Sequence, residues 1–414
     1  MGAGAGKEQD GNKKQKITKK DLKFFLKEIK EHTAGINSMT LTPDGSMLVS
    51  ASEDANAHIL DTTSEQTVSV LKGHEKYINS VVCNNDFVFT ASADKMIRKW
   101  RIDTGMCSKT MRGHTCAVNR LMLVDSLLFS SSYDRSARCW HIDTGECLAV
   151  FNGHKLGVYP LLYIPQSDDS FERDITDLNN NHDILITGSA DTTAKSWALN
   201  TNEVLLTYKG HNGAVLSMAC DNSGKYLFTG SQDSTIRSYV LSTGKPVNVF
   251  SGHAASVLQL QVVNRLLFSS SADHTVRCWV YEFGECTRVY RGHTHTVGCM
   301  KVAKGLLLTG SGDDTAKIFD AKSGTNKRTF RGHIGSVNAL VLHKHKLYTG
   351  SNDGAIRIWD ASGIGEDDDD DDEEEDSGVV PMQQEQQTPQ AQSPAPSNDD
   401  AAPVNDENAQ PVNE

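Results

Sequence analysis

Residues 73–100 read GHEKYINSVVCNNDFVFTASADKMIRKW. The stretch contains, in order, a Gly-His pair, an aliphatic residue at Ile78, the triplet Ser92-Ala93-Asp94 and an aromatic residue at Trp100. The same order occurs eight times in the 414-residue chain. The histidines of the eight units are His32, His74, His114, His154, His211, His253, His293 and His333. Successive histidines are 40 or 42 residues apart except for one interval of 57, and a fixed period near 40 is typical of repeat architectures.

Each unit ends in a copy of the pattern S-x-D-x-[T/S]-[I/V/A]-[R/K]-x-[W/Y/F]. The aromatic residues that end units two to eight are Trp100, Trp140, Trp197, Tyr239, Trp279, Phe319 and Trp359. The first unit is eroded, because Ser52 and Asp54 are present but Leu60 stands in the aromatic position. Short apolar runs separated by closely spaced turns surround these patterns, and such runs predict strands and not helices.

These residues resemble the WD-repeat family, whose units are four-stranded blades of a β-propeller. The resemblance covers residues 22–361, and eight coincident motifs make it specific, although the literal Trp-Asp pair occurs once, at Trp359-Asp360. The resemblance implies an all-β, eight-bladed propeller that serves as an interaction platform with no defined chemistry. We therefore expect a non-catalytic protein and no cofactor.

The N-terminal residues 22–30 suggest how the ring closes. An apolar residue stands three positions before every histidine, and Ile29 holds that position before His32. Unit eight lacks a fourth strand of its own, so residues 22–30 are predicted to supply it and to cover an otherwise open sheet edge. An amphipathic helix is the alternative, because Leu22, Phe25, Leu26 and Ile29 also fit a 3.6-residue period.

Charge and composition divide the chain into three parts. Residues 1–21 form a basic tail expected to be disordered, residues 22–363 form the propeller, and residues 364–414 form a disordered tail that is first acidic and then rich in Gln, Pro, Ala and Asn. An insertion at 165–182 accounts for the long interval in the fourth repeat. The net charge of −12 comes from the C-terminal tail, which either solvates the protein or attracts a basic partner.

Other features of the composition predict the compartment. No apolar run is long enough to span a bilayer, and no signal-peptide core is present, so we expect neither membrane insertion nor secretion. Nine cysteines, an odd number without a C-x-x-C motif, fit a reducing compartment. The protein is therefore expected to be a monomeric propeller in the cytoplasm, the nucleus or both.

The recurring histidine, serine and aspartate invite comparison with a catalytic triad. A triad is one constellation in one site, whereas this set is copied into the successive repeats. The resemblance implies instead a structural, hydrogen-bonded tetrad in each complete repeat. The predicted tetrads are His74, Ser92, Asp94 and Trp100; His114, Ser132, Asp134 and Trp140; His154, Ser189, Asp191 and Trp197; His253, Ser271, Asp273 and Trp279; and His333, Ser351, Asp353 and Trp359.

Metal and nucleic-acid sites are not expected. The pairs His293-x-His295 and His343-x-His345 have a spacing seen in metal sites, but no nearby cysteine or carboxylate completes a tetrahedral set. The lysines of residues 1–21 could form a nuclear-localisation or nucleic-acid-binding tract, although a solubilising tail is favoured. The propeller has no basic stripe, so nucleic-acid binding is not predicted.

Members of the WD-repeat family commonly bind partners over the central channel, on the face that bears the Gly-His loops. Tyrosine and arginine are frequent binding hot spots, and tyrosines cluster on that face in repeats two to four. The predicted partner-binding residues are Tyr77, Asn79, Lys95, Asn119, Tyr133, Arg135 and Tyr159. Leu216 and Leu258 give repeats five and six an apolar contribution, while the small residues at neighbouring positions could simply reflect a crowded channel mouth.

The sequence therefore predicts a protein-interaction scaffold that binds a peptide or protein surface. The alternative is a substrate-recognition subunit of a multiprotein complex such as a ubiquitin ligase. Propellers of that kind that read phosphorylated degrons use arginines beside the first-strand aliphatic residue and at the centre of S-x-D. Because neither ring of positions holds an arginine here, a neutral peptide is the expected ligand for that role.

Overall fold

The structure is a computed structural model that describes residues 21–165 and 183–364. Within these ranges the backbone forms eight antiparallel sheets of four strands each, after a short 3-10 turn at Asp21–Phe24. We number the blades after the repeat histidines, so that blade one follows His32 and blade eight follows His333. The predicted eight-bladed, all-β propeller is confirmed. None of the helical structure in these ranges has the length and hydrophobicity that crossing a membrane requires.

The first four blades follow one another along the chain, and each runs from the innermost strand to the outermost. Their strands are β2 (Ile36–Leu41), β3 (Met47–Ser52), β4 (Asn56–Asp61) and β5 (Gln66–Lys72) in blade one; β6 (Ile78–Cys83), β7 (Phe87–Ser92), β8 (Ile97–Arg101) and β9 (Cys107–Met111) in blade two; β10 (Val118–Val124), β11 (Leu127–Ser132), β12 (Ser136–His141) and β13 (Cys147–Asn152) in blade three; and β14 (Val158–Ile164), β15 (Ile184–Ser189), β16 (Ala194–Ala198) and β17 (Val204–Tyr208) in blade four.

The remaining blades repeat that order, and the last one borrows its outer strand from the N-terminus. Their strands are β18 (Val215–Cys220), β19 (Tyr226–Ser231), β20 (Ile236–Val240) and β21 (Pro246–Phe250) in blade five; β22 (Val257–Val263), β23 (Leu266–Ser271), β24 (Val276–Val280) and β25 (Glu285–Tyr290) in blade six; β26 (Val297–Ala303), β27 (Leu306–Ser311), β28 (Thr315–Asp320) and β29 (Asn326–Arg331) in blade seven; and β30 (Val337–His343), β31 (Lys346–Ser351), β32 (Ile356–Asp360) and β1 (Phe25–Ile29) in blade eight.

Burial along the strands explains why the sequence alternates in some strands and not in others. The second strand of blade three, β11, is buried at every residue because blades cover both of its faces. The outermost strand β5 alternates between exposed and more buried residues, because only one of its faces packs against a neighbour. The core therefore lies between adjacent blades, as where Trp100 of blade two packs against Val49, Ala57 and Leu71 of blade one.

The ring closes through the N-terminal strand, as predicted, and the helical alternative is wrong. Strand β1 pairs antiparallel with β32, so that Phe25 faces Trp359 and Ile29 faces Ile356. The Nε of Arg357 donates a hydrogen bond of 2.8 Å to Glu28, and the phenyl ring of Phe25 packs edge-on against Trp359 with ring centroids 5.6 Å apart. Closure removes the open edge that blade eight would otherwise expose.

Blade one shows three linked substitutions relative to blade two. In blade two, a Cβ atom on Gly73 would lie 3.2 Å from the Trp100 indole and 3.3 Å from the Arg98 guanidinium. Blade one has Leu60 in place of that tryptophan and His58 in place of that arginine, and it has Glu31 where the others have glycine. The His58 ring instead stacks on His32 with centroids 3.8 Å apart, and its Nδ1 lies 3.5 Å from the Glu31 carboxylate. The smaller side chains thus leave room for a residue larger than glycine.

Several sequence predictions concern residues outside the described ranges. They include the basic character of the N-terminal tail, the insertion beyond Pro165 and the acidic C-terminal tail. Those predictions stand as they were made from the sequence.

Candidate functional site

A chain of hydrogen bonds links each Gly-His loop to the strands of its blade. In blade two, Nδ1 of His74 lies 2.7 Å from the Asp94 carboxylate, and Nε2 lies 2.7 Å from the hydroxyl of Thr90. The indole N–H of Trp100 donates to the same hydroxyl at 2.8 Å. The Asp94 carboxylate also accepts the backbone N–H groups of Glu75 and Met96, so that it holds the loop and the turn together.

The hydroxyl of the predicted tetrads was misassigned. The hydrogen-bond chain passes through Thr90, not Ser92, because Trp100 pairs with Val88 and its indole reaches only to the hydroxyl two residues further along β7. The corresponding hydroxyls in blades three, four, six and eight are Ser130, Thr187, Ser269 and Thr349. They replace the predicted Ser132, Ser189, Ser271 and Ser351.

The predicted serines serve the loop instead. The hydroxyl of Ser92 donates to the carbonyl of Lys76 at 2.9 Å and accepts the backbone N–H of Asp94 at 3.0 Å. The other four make the equivalent pair of bonds: each accepts the backbone N–H of the aspartate two residues later, and they donate from Ser132 to Cys116, from Ser189 to Leu156, from Ser271 to Ala255 and from Ser351 to Gly335. Each repeat therefore uses two hydroxyls, one in the strand and one at its end.

The electrostatics of the tetrads fit a structural role. Burial alone would raise the pKa of the Asp94 carboxyl, but the hydrogen bond and charge of His74 and two backbone N–H groups lower it overall. The His74 side chain has no exposed surface and that of Asp94 is 6% exposed. Enclosed carboxylates of this kind, with a lowered pKa, stabilise loops, and a substrate could not reach the imidazole.

A cavity of about 620 Å³ opens at the centre of the ring, on the face of the Gly-His loops. It falls within the size range of ligand pockets in proteins. Residues of seven blades line it, namely Asn37, Glu53, Tyr77, Asn79, Asn119, Arg120, Tyr159, Leu216, Leu258, Gln259 and Gly298. The innermost strands surround this space because each contacts the innermost strand of the next blade, and β2 contacts β30 to complete the circle.

The structure separates the seven predicted partner-binding residues into two groups. Tyr77, Asn79, Asn119 and Tyr159 line the cavity. The other three lie outside its lining, at Lys95, Tyr133 and Arg135. Lys95 and Arg135 are exposed residues in tight turns with φ of 75° and 72°. They can contact a partner that extends beyond the cavity but cannot contact one confined to it.

Tyr133 lies at the rim of the cavity, because it packs against the lining residue Tyr159. Its ring packs edge-on against Tyr159 with centroids 5.7 Å apart, and 50% of Tyr133 and 46% of Tyr77 remain exposed. Burial, followed by the nearby phenol groups of Tyr159 and Tyr77, raises the pKa of Tyr133. The rim therefore presents phenol groups, which combine apolar rings with hydroxyls that donate and accept hydrogen bonds.

Two of the predicted binding residues also have a role that the sequence analysis missed. The side-chain amide of Asn79 donates a hydrogen bond of 2.8 Å to the carbonyl of Val118 in blade three. That of Asn119 donates one of 2.7 Å to the carbonyl of Val158 in blade four. Asn37 and Asn338 make the same bond to Ile78 and Ile36. We call these four bonds the asparagine clamps, because each ties a blade to the next one.

Arg120 is a cavity residue that the sequence analysis did not identify. It stands two positions after Val118, at a place where the other seven blades have Ser38, Ser80, Pro160, Ser217, Gln259, Cys299 and Ala339. A charged residue at one blade alone was a visible signal. Across residues 21–165 and 183–364, no group of three or more His, Cys, Asp or Glu side chains is placed to hold a metal ion.

Comparisons with known proteins agree with this architecture. A family model described as WD domain, G-beta repeat matches seven segments that together make up more than half of the chain: 23–61, 65–101, 105–141, 202–239, 244–280, 284–320 and 324–360. The crystal structure of the computationally designed Ika8 protein superimposes with a TM-score of 0.71 and 24% identity, covering 81% of this chain and 99% of that one. That identity shows the fold alone.

Two curated human proteins resemble shorter stretches. Pre-mRNA-processing factor 19 of Homo sapiens is 38% identical over 76 residues, which are 18% of this chain and 15% of that protein. WD repeat-containing protein 86 of Homo sapiens is 42% identical over 65 residues, which are 16% of this chain and 17% of that protein. The matched stretches thus span less than a fifth of either relative. The first three strands of blade four lie between two of the seven matched segments, and this blade has the same four-stranded form as the others. The chain belongs to the WD domain, G-beta repeat family.

Proposed function

We propose that this propeller is a non-catalytic interaction scaffold that binds a peptide or a protein loop at the mouth of its central cavity. The observation that carries the proposal is the cavity of about 620 Å³ with the exposed rings of Tyr77 and Tyr133 at its rim. Exposed tyrosines beside a concave site are the arrangement expected of binding hot spots. Tyr159 joins the two features, because it lines the cavity and packs against Tyr133.

The apolar side of the cavity supports the same ligand class. Leu216 and Leu258 line it in blades five and six. Leu216 follows Tyr159 in the next blade round the ring, and Leu258 lies four blades from Tyr77, on the other side of the cavity. A peptide would find aromatic and hydroxyl groups on one side and aliphatic groups on the other. Lys95 and Arg135 would meet the parts of a partner that lie outside the cavity.

The proposal is tested by affinity purification with mass spectrometry. The wild-type protein is compared with the triple variant Tyr77→Ala, Tyr133→Ala, Tyr159→Ala, after thermal unfolding has shown that both are folded. The matched control is Phe283→Ala, which removes an aromatic ring that is 72% exposed and is not part of the cavity. Selective loss of a partner from the triple variant alone supports the proposal, and an unchanged set of partners contradicts it.

A second candidate function is membership of a multiprotein complex as its substrate-recognition subunit. The likeness to a protein named as a pre-mRNA-processing factor favours this idea, and it favours the nucleus as one location. All nine cysteines are free thiols, which fits the nucleus or the cytoplasm equally. Fractionation by size of a native cell extract tests it, because a subunit co-elutes stoichiometrically with its complex while a free monomer elutes near 45.2 kDa.

A further inference from the structure

Arg120 places a positive charge in the central cavity without a neighbouring negative charge to balance it. Its side chain lines the cavity and is exposed to the space at the centre of the ring. Within the described ranges, the guanidinium of Arg120 donates no hydrogen bond and forms no ion pair. Enclosure by the surrounding strands lowers the pKa of its guanidinium, and no carboxylate offsets that effect.

This arginine differs from the arginines between the blades. Arg98 and Arg138 lie near 6 Å above the indoles of Trp100 and Trp140, and each directs a guanidinium nitrogen to a cysteine sulfur. Those contacts explain their presence as part of the frame. Arg120 has no such partner, and the other blades have uncharged residues at its position. Five unused N–H donors in a confined space are suited to an oxyanion.

The rest of the cavity narrows the choice of anion. Glu53 of blade one lines the same cavity, and in the described parts of the chain its carboxylate forms no ion pair with Arg120. A phosphate carries about −1.5 to −2 charges, which a single arginine cannot balance and which Glu53 would repel more strongly than it repels a single charge. A carboxylate carries one charge and matches the planar guanidinium with two parallel hydrogen bonds.

We propose that the cavity recognises an acidic side chain, aspartate or glutamate, in the middle of an extended peptide, with its carboxylate bound by Arg120. This inference rests on the proposed function, because it names the chemistry of the peptide that docks at the mouth. Tyr77 and Tyr159 lie in the same lining and contact the residues that flank the acidic one. The carboxyl-terminal group of a peptide has the same charge, so the experiment must separate the two sources.

The experiment uses purified full-length protein and an immobilised library of nine-residue peptides. The central residue is glutamate, glutamine, phosphoserine or lysine, the flanking residues are randomised, and the peptide C-terminus is amidated. A second library has central glutamine and a free C-terminal carboxylate. The variants are Arg120→Gln, the tyrosine triple variant and Glu53→Gln, each checked by thermal unfolding. Arg120→Gln should unfold like the wild type because the guanidinium of Arg120 donates no hydrogen bond within the described ranges.

We expect the wild type to retain glutamate peptides about tenfold more than glutamine peptides, as a charge-assisted hydrogen bond allows. Arg120→Gln should abolish that preference, while Glu53→Gln should keep or increase it. Equal retention of glutamate and glutamine, or a preference that survives Arg120→Gln, overturns the inference. Preference for phosphoserine alone, or for the free C-terminus alone, also overturns it.

The same libraries distinguish failure of this inference from failure of the proposed function. If the wild type retains peptides without regard to central charge and the tyrosine triple variant loses them, the mouth still binds peptides and the Arg120 proposal is wrong. If the wild type and the triple variant retain the same peptides, and neither distinguishes the central charge, both proposals are wrong.

Discussion

Blades eight, one, two and three differ from blades four to seven at one position of the innermost strand. The first group, which we call the clamped half, has Asn338, Asn37, Asn79 and Asn119 directly after the first aliphatic residue, and each amide donates to the next blade. The second group, the open half, has Tyr159, Leu216, Leu258 and Gly298 there. The same position thus stabilises the ring in one half and is free to contact a ligand in the other.

The difference also shows where a ligand can be held within the clamped half. Each clamp uses one N–H of its asparagine amide, so the binding groups of that half that take no part in a clamp include Tyr77 and Arg120. Gln259 and Gln261 tie blade six to blade seven in another way, because they accept the backbone N–H groups of Met300 and Val302. Blades six and seven of the open half are therefore linked by glutamine side chains that lie later in the innermost strand than the asparagine position.

The largest expected loss of unfolding free energy should be the same in the two halves. Asp94→Ala in the clamped half and Asp273→Ala in the open half each remove the acceptor of a histidine and of two backbone N–H groups. Both should lower the free energy of unfolding by about 1–3 kcal/mol, the cost of leaving buried donors without partners. Denaturation in guanidinium chloride measures it. Unchanged unfolding in both variants would contradict the structural role of the tetrads.

Acid should destabilise the clamped half through His58, which only blade one carries. Burial, followed by the charge of His32, lowers the pKa of His58 from 6.5 to about 4, although Glu31 and Asp54 raise it and Lys72 lowers it further. Because the unfolded chain takes up this proton first, stability is full above pH 6.5 and is lost as the pH falls towards 4. We expect a loss on the order of 2 kcal/mol across that window.

The variant His58→Phe tests this pH dependence. A phenyl ring can stack on His32 but cannot be protonated, so the variant should lose less stability than the wild type between pH 6.5 and 4. Equal losses in the two proteins would show that other groups cause the effect. His211 in blade five also has a pKa lowered by burial and remains in both proteins, so it cancels in the comparison.

A smaller loss of unfolding free energy should differ between the two halves. Asn79→Ala removes the 2.8 Å bond to Val118 and should lower the free energy of unfolding by about 1 kcal/mol. Leu216→Ala, at the same position in the open half, should change it by less, because this side chain lines the cavity and is only partly buried. Equal losses from the two variants would mean that the asparagine clamps add nothing particular to their half.

The smallest expected change in unfolding free energy comes from placing an asparagine clamp in the open half. Leu216→Asn places an amide at the clamp position of blade five. The carbonyl of Val257 in blade six is then the counterpart of the Val118 carbonyl that Asn79 binds. If the position alone defines the clamp, the variant should gain about 0.5 kcal/mol in unfolding free energy. A loss of stability would show that the clamped half also depends on a blade spacing that the open half lacks.

Much of the fold could be predicted from the sequence because the repeat is long-range and regular. The strands, the closing N-terminal strand and the histidine, aspartate and tryptophan of each tetrad follow from spacing and resemblance. The tetrad hydroxyl did not, because Thr90 and Ser92 are two residues apart on the same face of β7 and spacing cannot choose between them.

The candidate site was harder to predict for a local reason. The pairing of β10 with β11 shifts register between Val118 and Arg120, and the innermost strand of every blade shows the same irregularity. A bulge interrupts the alternation of side chains, so the direction of Asn119 and Arg120 could not be read from the period of the strand. The sequence therefore predicts a ligand contact for the Asn119 amide and does not identify Arg120 as a cavity residue.

We infer that partners dock at the cavity mouth and not on another face. Site-specific photo-crosslinking in cells tests it most directly, with p-benzoylphenylalanine in place of Tyr77 at the mouth or in place of Phe283 outside it. Both positions are exposed aromatic residues, so both substitutions should be tolerated. We expect a discrete crosslinked partner from the Tyr77 position and none of that partner from Phe283. Crosslinking of the same partner from Phe283 alone, or equally from both positions, would contradict it.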